Sequence, residues 1–218
     1  MKVTVACRSS PLSKAQIKEV EEELSLFFPS LQFVPTFLLS RGDLDLTSSL
    51  RNLEKTDFFT KEIDALQLAG GCRISIHSAK DLPEPLTRGL AIAALTKGVD
   101  PTDVIVLREG DTIESLPQNA KIGTSSVRRE ENVLNLRSDL QCTDVRGNIL
   151  ARLKLLDQGF VDGLVMAEAA LIRLNLTQRN RIQLPGISAP LQGKLAVVVL
   201  ENDAEMLQLF TCIDGRKS

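Results

Sequence analysis

Four short stretches hold the side chains that could do chemistry. Ser75-Ile76-His77-Ser78-Ala79-Lys80-Asp81-Leu82-Pro83 brings a carboxylate, an ammonium and the only histidine of the sequence together. Arg8-Ser9-Ser10, Ser125-Ser126-Val127-Arg128-Arg129 and Arg146-Gly147-Asn148 each put arginine where a strand-like run gives way to a helix-like one. Arginine forks match carboxylates with paired hydrogen bonds, so three such turns in equivalent positions predict a cleft for a polyanion. Two cations in the first turn of a helix, as at Arg128 and Arg129, oppose the helix dipole by a few tenths of a kcal/mol each when exposed. An anion bound at the same helix start would remove that cost. Each residue also has an ordinary reading. Asp81 could be a turn or cap residue, Lys80 a solvated charge, His77 a satisfied strand histidine, and Ser10 the cap of an ordinary helix.

The elements that must position these residues can be read from periodicity. Ser75 onward alternates apolar and polar residues and is stopped by Pro83, so Lys80 and Asp81 fall at the mouth of a strand, where open α/β sheets place their ligands. Val3 to Cys7 reads as a buried strand leading into Ser10 as N-cap, Pro11 at the first helical position, and Ile17, Val20, Leu24 and Phe27 at helical spacing. Phe33 to Leu39 is a second strand. Arg41 to Asp57 reads as a polar, mobile loop, and a helix from about Phe58 through Ala69 follows. Strand and helix thus alternate over the first hundred residues, which predicts a parallel sheet. A break around residues 96–102 marks a lobe boundary. Beyond it the same grammar repeats: Lys121 to Thr124 as strand and Val127 onward as helix, Gln141 to Val145 as strand and Ile149 onward as helix, Phe160 to Met166 as strand and Glu168 to Leu174 as helix. Leu195 to Leu200, fully apolar, is expected to cross back as a central strand. The fold class is therefore α/β, with two lobes like those of periplasmic binding proteins, a double crossover and an interlobe cleft. Lobe 1 spans residues 1–96 plus 194–218, and lobe 2 spans 97–193.

Composition narrows the function. At 218 residues and 43% hydrophobic, the chain can bury a core. A formal net charge of −2 gives no overall field toward nucleic acid or an anionic membrane, and the lack of Trp and Tyr removes the usual base-stacking platforms. Cys7, Cys72, Cys142 and Cys212 have no Cys-x-x-Cys spacing and one histidine between them, which argues against a zinc or dithiol site. No signal peptide or spanning segment is read, so a cytoplasmic monomer is expected.

Taken together, Arg8-Ser9-Ser10-Pro11-Leu12, Phe59-Thr60-Lys61-Glu62, His77 to Pro83, Asp100-Pro101-Thr102-Asp103, Gly123 to Arg129, Asp144 to Asn148 and Gln192-Gly193 resemble, in order, the porphobilinogen deaminase (hydroxymethylbilane synthase) family. The resemblance implies a transferase of tetrapyrrole biosynthesis that joins four porphobilinogen units with release of ammonia on a dipyrromethane primer. It implies Asp81 as the catalytic carboxylate. Arg8, Lys80, Arg128, Arg129, Arg146 and Arg173 would hold acetate and propionate groups, and Ser10, Ser125 and Ser126 would add neutral donors. No metal is implied.

The resemblance covers the family's first two domains, and the third, which carries the primer cysteine, is expected to be missing. Cys212 is the nearest thiol in sequence but lacks the glycine-rich context. Lys55 is the candidate for a basic residue that the family carries in the loop before Phe58. The alternative reading is a non-catalytic module that captures polycarboxylates or tetrapyrroles.

Overall fold

The structure is a computed structural model that describes residues 1–45, 48, 49, 51 and 56–216. Lys55 lies outside the described residues. The chain divides into two compact units, the first built from Met1–Asp45, Glu54–Val99 and Gly193–Ser218, the second from Leu46–Leu53 and Asp100–Gln192.

In chain order, β1 (Lys2–Arg8) leads through Ser10 into α1 (Pro11–Ser25). The Ser10 side chain accepts from the Ser13 N–H at 3.1 Å, Pro11 sits where its missing N–H costs nothing, and Ile17, Val20 and Leu24 turn one face into the core. Strand β2 (Gln32–Leu38) follows. Of the stretch 41–57 read from sequence as a mobile loop, the first four residues form α2 (Arg41–Leu44), because Ser40 and Asp43 cap each other reciprocally, while 46, 47, 50 and 52–55 lie outside the described residues. A one-turn 3-10 segment (Asp57–Phe59) precedes α3 (Lys61–Leu68), then β3 (Ile74–Ser78), a second 3-10 turn (Ala79–Asp81) and β4 (Leu90–Leu95). In the second unit come β5 (Asp103–Leu107), β6 (Lys121–Gly123), α4 (Val127–Leu136), β7 (Gln141–Thr143), α5 (Ile149–Asp157), β8 (Gly163–Ala167), α6 (Glu168–Arg173) and β9 (Arg181–Leu184). Finally β10 (Leu195–Leu200) and α7 (Ala204–Leu209) return to the first unit.

Each unit is one five-stranded sheet, ordered β2-β1-β3-β10-β4 in the first and β7-β6-β8-β5-β9 in the second. Strands β1, β2 and β3 are parallel, as the alternation predicts, while β10 lies antiparallel between β3 and β4. The second sheet has the same plan: β6 is parallel to β7 and β8, and β5 is antiparallel to β8 and β9. In both, the antiparallel strand is the one the chain enters on crossing from the other unit. Val197 and Val199 bury toward α1 and the C-terminal helical turns, whereas Ala196 and Val198 face Leu82 and Leu90, so β10 is covered on both sides. This explains its unbroken apolar run.

Among the described residues no helix is long and apolar enough to cross a membrane, and no group of His, Cys, Asp and Glu is arranged to hold a metal ion.

Candidate functional site

In the first unit β1 and β3 end side by side, and α1 begins at the same edge. Their ends border a small recess, open to solvent, whose wall includes Arg8, Ser10, Gln16, Phe59, His77 and Asp81. The motifs at positions 8–10 and 77–81 are thus brought together by the parallel pairing of β1 with β3.

Arg8, the last residue of β1, donates from Nε to Asp43 Oδ2 at 3.1 Å, and its Nη2 pairs with Oδ1. Its guanidinium carbon lies 4.5 Å from the centroid of the Phe59 ring. Burial pushes the Asp43 carboxyl up, but Arg8 and the Ser40 bonds outweigh it and hold it below the usual carboxylate range. Ser10 shares its hydroxyl with Ser13 Oγ at 2.8 Å, and Gln16 Nε2 donates to Ser78 Oγ at 2.7 Å. Asp81 ends the 3-10 turn beyond β3 and is exposed in the recess wall. Lys80 is half-buried on the same turn and is not part of that wall.

His77 is buried, and its Nε2 lies 3.0 Å from Ser75 Oγ. Burial, helped by the positive charge of Arg8, pulls its pKa from 6.5 down to about 4, so the ring is neutral at neutral pH.

In the second unit Ser126 caps α4 by backbone position alone, and Arg128 and Arg129 follow in the first turn. Both reach Asp103, the buried first residue of β5. Arg129 donates from Nε at 3.0 Å and from Nη2 at 2.6 Å to Oδ1. Arg128 Nη2 lies 2.8 Å from Oδ2 as an ion pair, and its Nη1 donates to the Ile187 carbonyl. Gln192 Nε2 adds a bond to Asp103 Oδ1 at 2.9 Å. Burial alone would raise the Asp103 pKa, but the two arginines and Gln192 lower it below the usual carboxylate range. The anion that offsets the helix-start arginines in this structure is therefore Asp103. Ser125 Oγ donates to the Val145 carbonyl at 2.8 Å, which ties the α4 turn to the stretch carrying Arg146. Arg146 is half-buried just before the Asn148 cap of α5, and Arg173 stands in the last turn of α6 rather than at a strand-to-helix turn.

Sequence reasoning did not assign Gln16, Asp43 and Asp103 to these clusters. The acid of Gly42-Asp43 was legible as a turn signal, but its partner lies 35 positions away. Asp103, the last residue of Asp100-Pro101-Thr102-Asp103, lies 26 positions from Arg129.

The wall of the recess fits a carboxylated pyrrole, since it sets donors beside one carboxylate. The thiols do not fit a covalent tether. Burial raises Cys7 to about 12 and Cys72 to about 11. Burial with the Glu130 charge raises Cys142 to about 11. Cys212, in the 3-10 turn Phe210–Ile213 packed on the core, is raised mainly by burial and donates to the Leu209 carbonyl at 3.3 Å. Attachment needs a thiolate, and none of the four is tuned toward one.

Comparison with known proteins gives matches in sequence and in structure. Residues 3–208 match the family model "Porphobilinogen deaminase, dipyromethane cofactor binding domain". A probable porphobilinogen deaminase from Chlamydia muridarum is 40% identical over 210 residues, covering 95% of this chain and 86% of that protein. A porphobilinogen deaminase from Desulforudis audaxviator is 39% identical, covering 97% and 70%. In structure, a periplasmic substrate-binding protein of an ABC transporter from Coxiella burnetii superposes with a TM-score of 0.59 at 16% identity, over 97% of this chain and 91% of that one. At that identity the likeness carries the fold alone.

Proposed function

The chain belongs to the porphobilinogen deaminase family, and on that premise we propose how its own residues serve the reaction. The activity is the head-to-tail joining of four porphobilinogen units to hydroxymethylbilane, a transferase step of tetrapyrrole biosynthesis that releases ammonia with each unit.

Asp81 is the catalytic carboxylate. As the amine leaves the substrate's aminomethyl carbon, positive charge spreads onto the pyrrole nitrogen, and a fixed carboxylate at the recess wall lowers the energy of that state. The same group takes part in moving protons on the ring. Arg8 holds a substrate carboxylate, and Ser10 and Lys80 add donors at the same end of the unit. The observation that carries this reading is the shared recess of Arg8 and Asp81, cation and carboxylate set at the ends of adjacent parallel strands. Arg128, Arg129, Arg146 and Arg173, with Ser125 and Ser126, would hold the carboxylates of a dipyrromethane. That group, when bound, supplies the electron-rich pyrrole carbon that receives the first unit. Asp103 keeps Arg128 and Arg129 ordered and partly neutralised until a ligand carboxylate arrives.

Incubation of the purified protein with porphobilinogen, with and without added preuroporphyrinogen, tests the assignment. Ammonia release under at least one condition is expected, and none under either would overturn it. Intact-mass measurement addresses attachment: the raised thiols predict no mass excess of two pyrrole units on any of the four cysteines. Nothing in the structure or the comparisons favours the capture module. We further infer a cytoplasmic monomer that takes no nucleic acid. The net charge of −2 supports the last point, and light scattering tests the first.

A further inference from the structure

The hydrogens behind His77 can be followed one by one. Gln67, fully buried in α3, donates from Nε2 to two backbone carbonyls, Arg73 at 3.1 Å and Val198 at 3.0 Å. Turning the amide over would set Oε1 against both carbonyl oxygens, so the orientation is fixed. Oε1 is then an acceptor, and Ser75 Oγ, 2.8 Å away, gives it the hydroxyl's single proton. Ser75 has no proton left for His77 Nε2 at 3.0 Å. That contact must be Nε2–H donating to Ser75 Oγ. A neutral imidazole carries one N–H, so Nδ1 is bare.

His77 is itself one of the residues lining the recess, and the rest of the wall gives an unprotonated ring nitrogen a use. Arg8, Ser10 and Gln16 can donate, while Asp81 is the one acid among the described lining residues. Ligand carboxylates find donors readily, and for a ring N–H the wall offers the Asp81 carboxylate and, beside it, an unprotonated ring nitrogen of His77. A protonated imidazole would draw carboxylates to the wrong place. Burial and Arg8 keep this ring neutral.

Resting on the reading that a carboxylated pyrrole occupies this recess, we propose that His77 accepts a hydrogen bond at Nδ1 from a ligand N–H, and so selects pyrroles over rings lacking that proton. Gln67 and Ser75 are positioning residues that hold the tautomer.

Because the sequence has one histidine, 15N NMR of labelled protein gives a single imidazole to follow. The free protein at pH 7 should show a protonated Nε2 and a bare Nδ1. A pyrrole dicarboxylate lacking the aminomethyl group, at saturation by calorimetry, should shift Nδ1 toward the hydrogen-bonded range, and the matching furan dicarboxylate should not. Ser75→Ala, which removes the acceptor of Nε2–H, should mix the tautomers and cut the pyrrole-over-furan preference by about 3–10-fold, the worth of one neutral hydrogen bond. An Nδ1–H tautomer in the free protein overturns the proposal. So does a saturating pyrrole that leaves Nδ1 unmoved, which would leave the reading of the recess intact. Failure of both rings to bind overturns the recess as a pyrrole site and this proposal with it.

Discussion

His77 should make the fold sensitive to acid in a narrow window, and the size of the effect follows from its burial. Its pKa is 6.5 when unfolded and about 4 when folded, because burial and the Arg8 charge disfavour the imidazolium. Between those values the unfolded chain binds a proton that the folded chain does not. Stability from this group is therefore full above about pH 6.5 and is lost as pH falls toward 4. At 1.36 kcal/mol per pKa unit, the loss reaches about 3 kcal/mol by pH 4, a large share of a typical folding free energy. The assay is urea unfolding of the wild type and His77→Gln at several pH values between 4 and 8. Glu23 and Asp64, whose pKa values burial raises, titrate nearby but are common to both proteins and cancel in the difference. The wild type's advantage should be constant above pH 7 and shrink by about 3 kcal/mol toward pH 4. A difference that stays flat over the whole range would refute the buried, neutral histidine and the tautomer argument built on it.

Three further outcomes are expected. Asp81→Asn should lower ammonia release from porphobilinogen by about 10²–10⁴-fold, with calorimetric binding of a pyrrole dicarboxylate nearly unchanged, since charge is removed and shape kept. Normal turnover would exclude Asp81 as the catalytic group. Arg146→Lys should weaken binding of the linear tetrapyrrole about tenfold, because a point charge cannot replace a fork; equal affinity by calorimetry would remove Arg146 from the binding set. Gly98→Ala should cost about 1–2 kcal/mol in urea unfolding, since Gly98 has φ +83° and an added Cβ would sit 3.0 Å from the Gly193 backbone. An unchanged midpoint would contradict that geometry.

Much of the site was legible because its signals are local. Alternation ending at Pro83 placed Asp81 at a strand mouth, and Ser10-Pro11 marked the start of α1 within two residues of Arg8. What stayed hidden depends on pairing. The apolar run of β10 reports burial on both faces and says nothing of direction, so its antiparallel insertion could not be read. Strand β9, four residues at a sheet edge, is too short for its alternation to stand out. The arginine pair at α4 was read as awaiting a bound anion, whereas the carboxylate both reach is Asp103, on an element that only the fold brings near.

The placement of β10 bears on how the chain is made. As synthesis proceeds, Asp100–Gln192 emerges as one continuous run and holds all five strands of its sheet. The first unit, although begun earlier, must wait with a slot between β3 and β4 until residues 195–200 leave the ribosome. Two unpaired strand edges are open during that interval, the condition under which nascent chains mispair. Biogenesis of the unit bearing Asp81 is thus governed by its last strand. A substitution that slows β10 docking would lower the yield of folded protein without touching a single group in the recess.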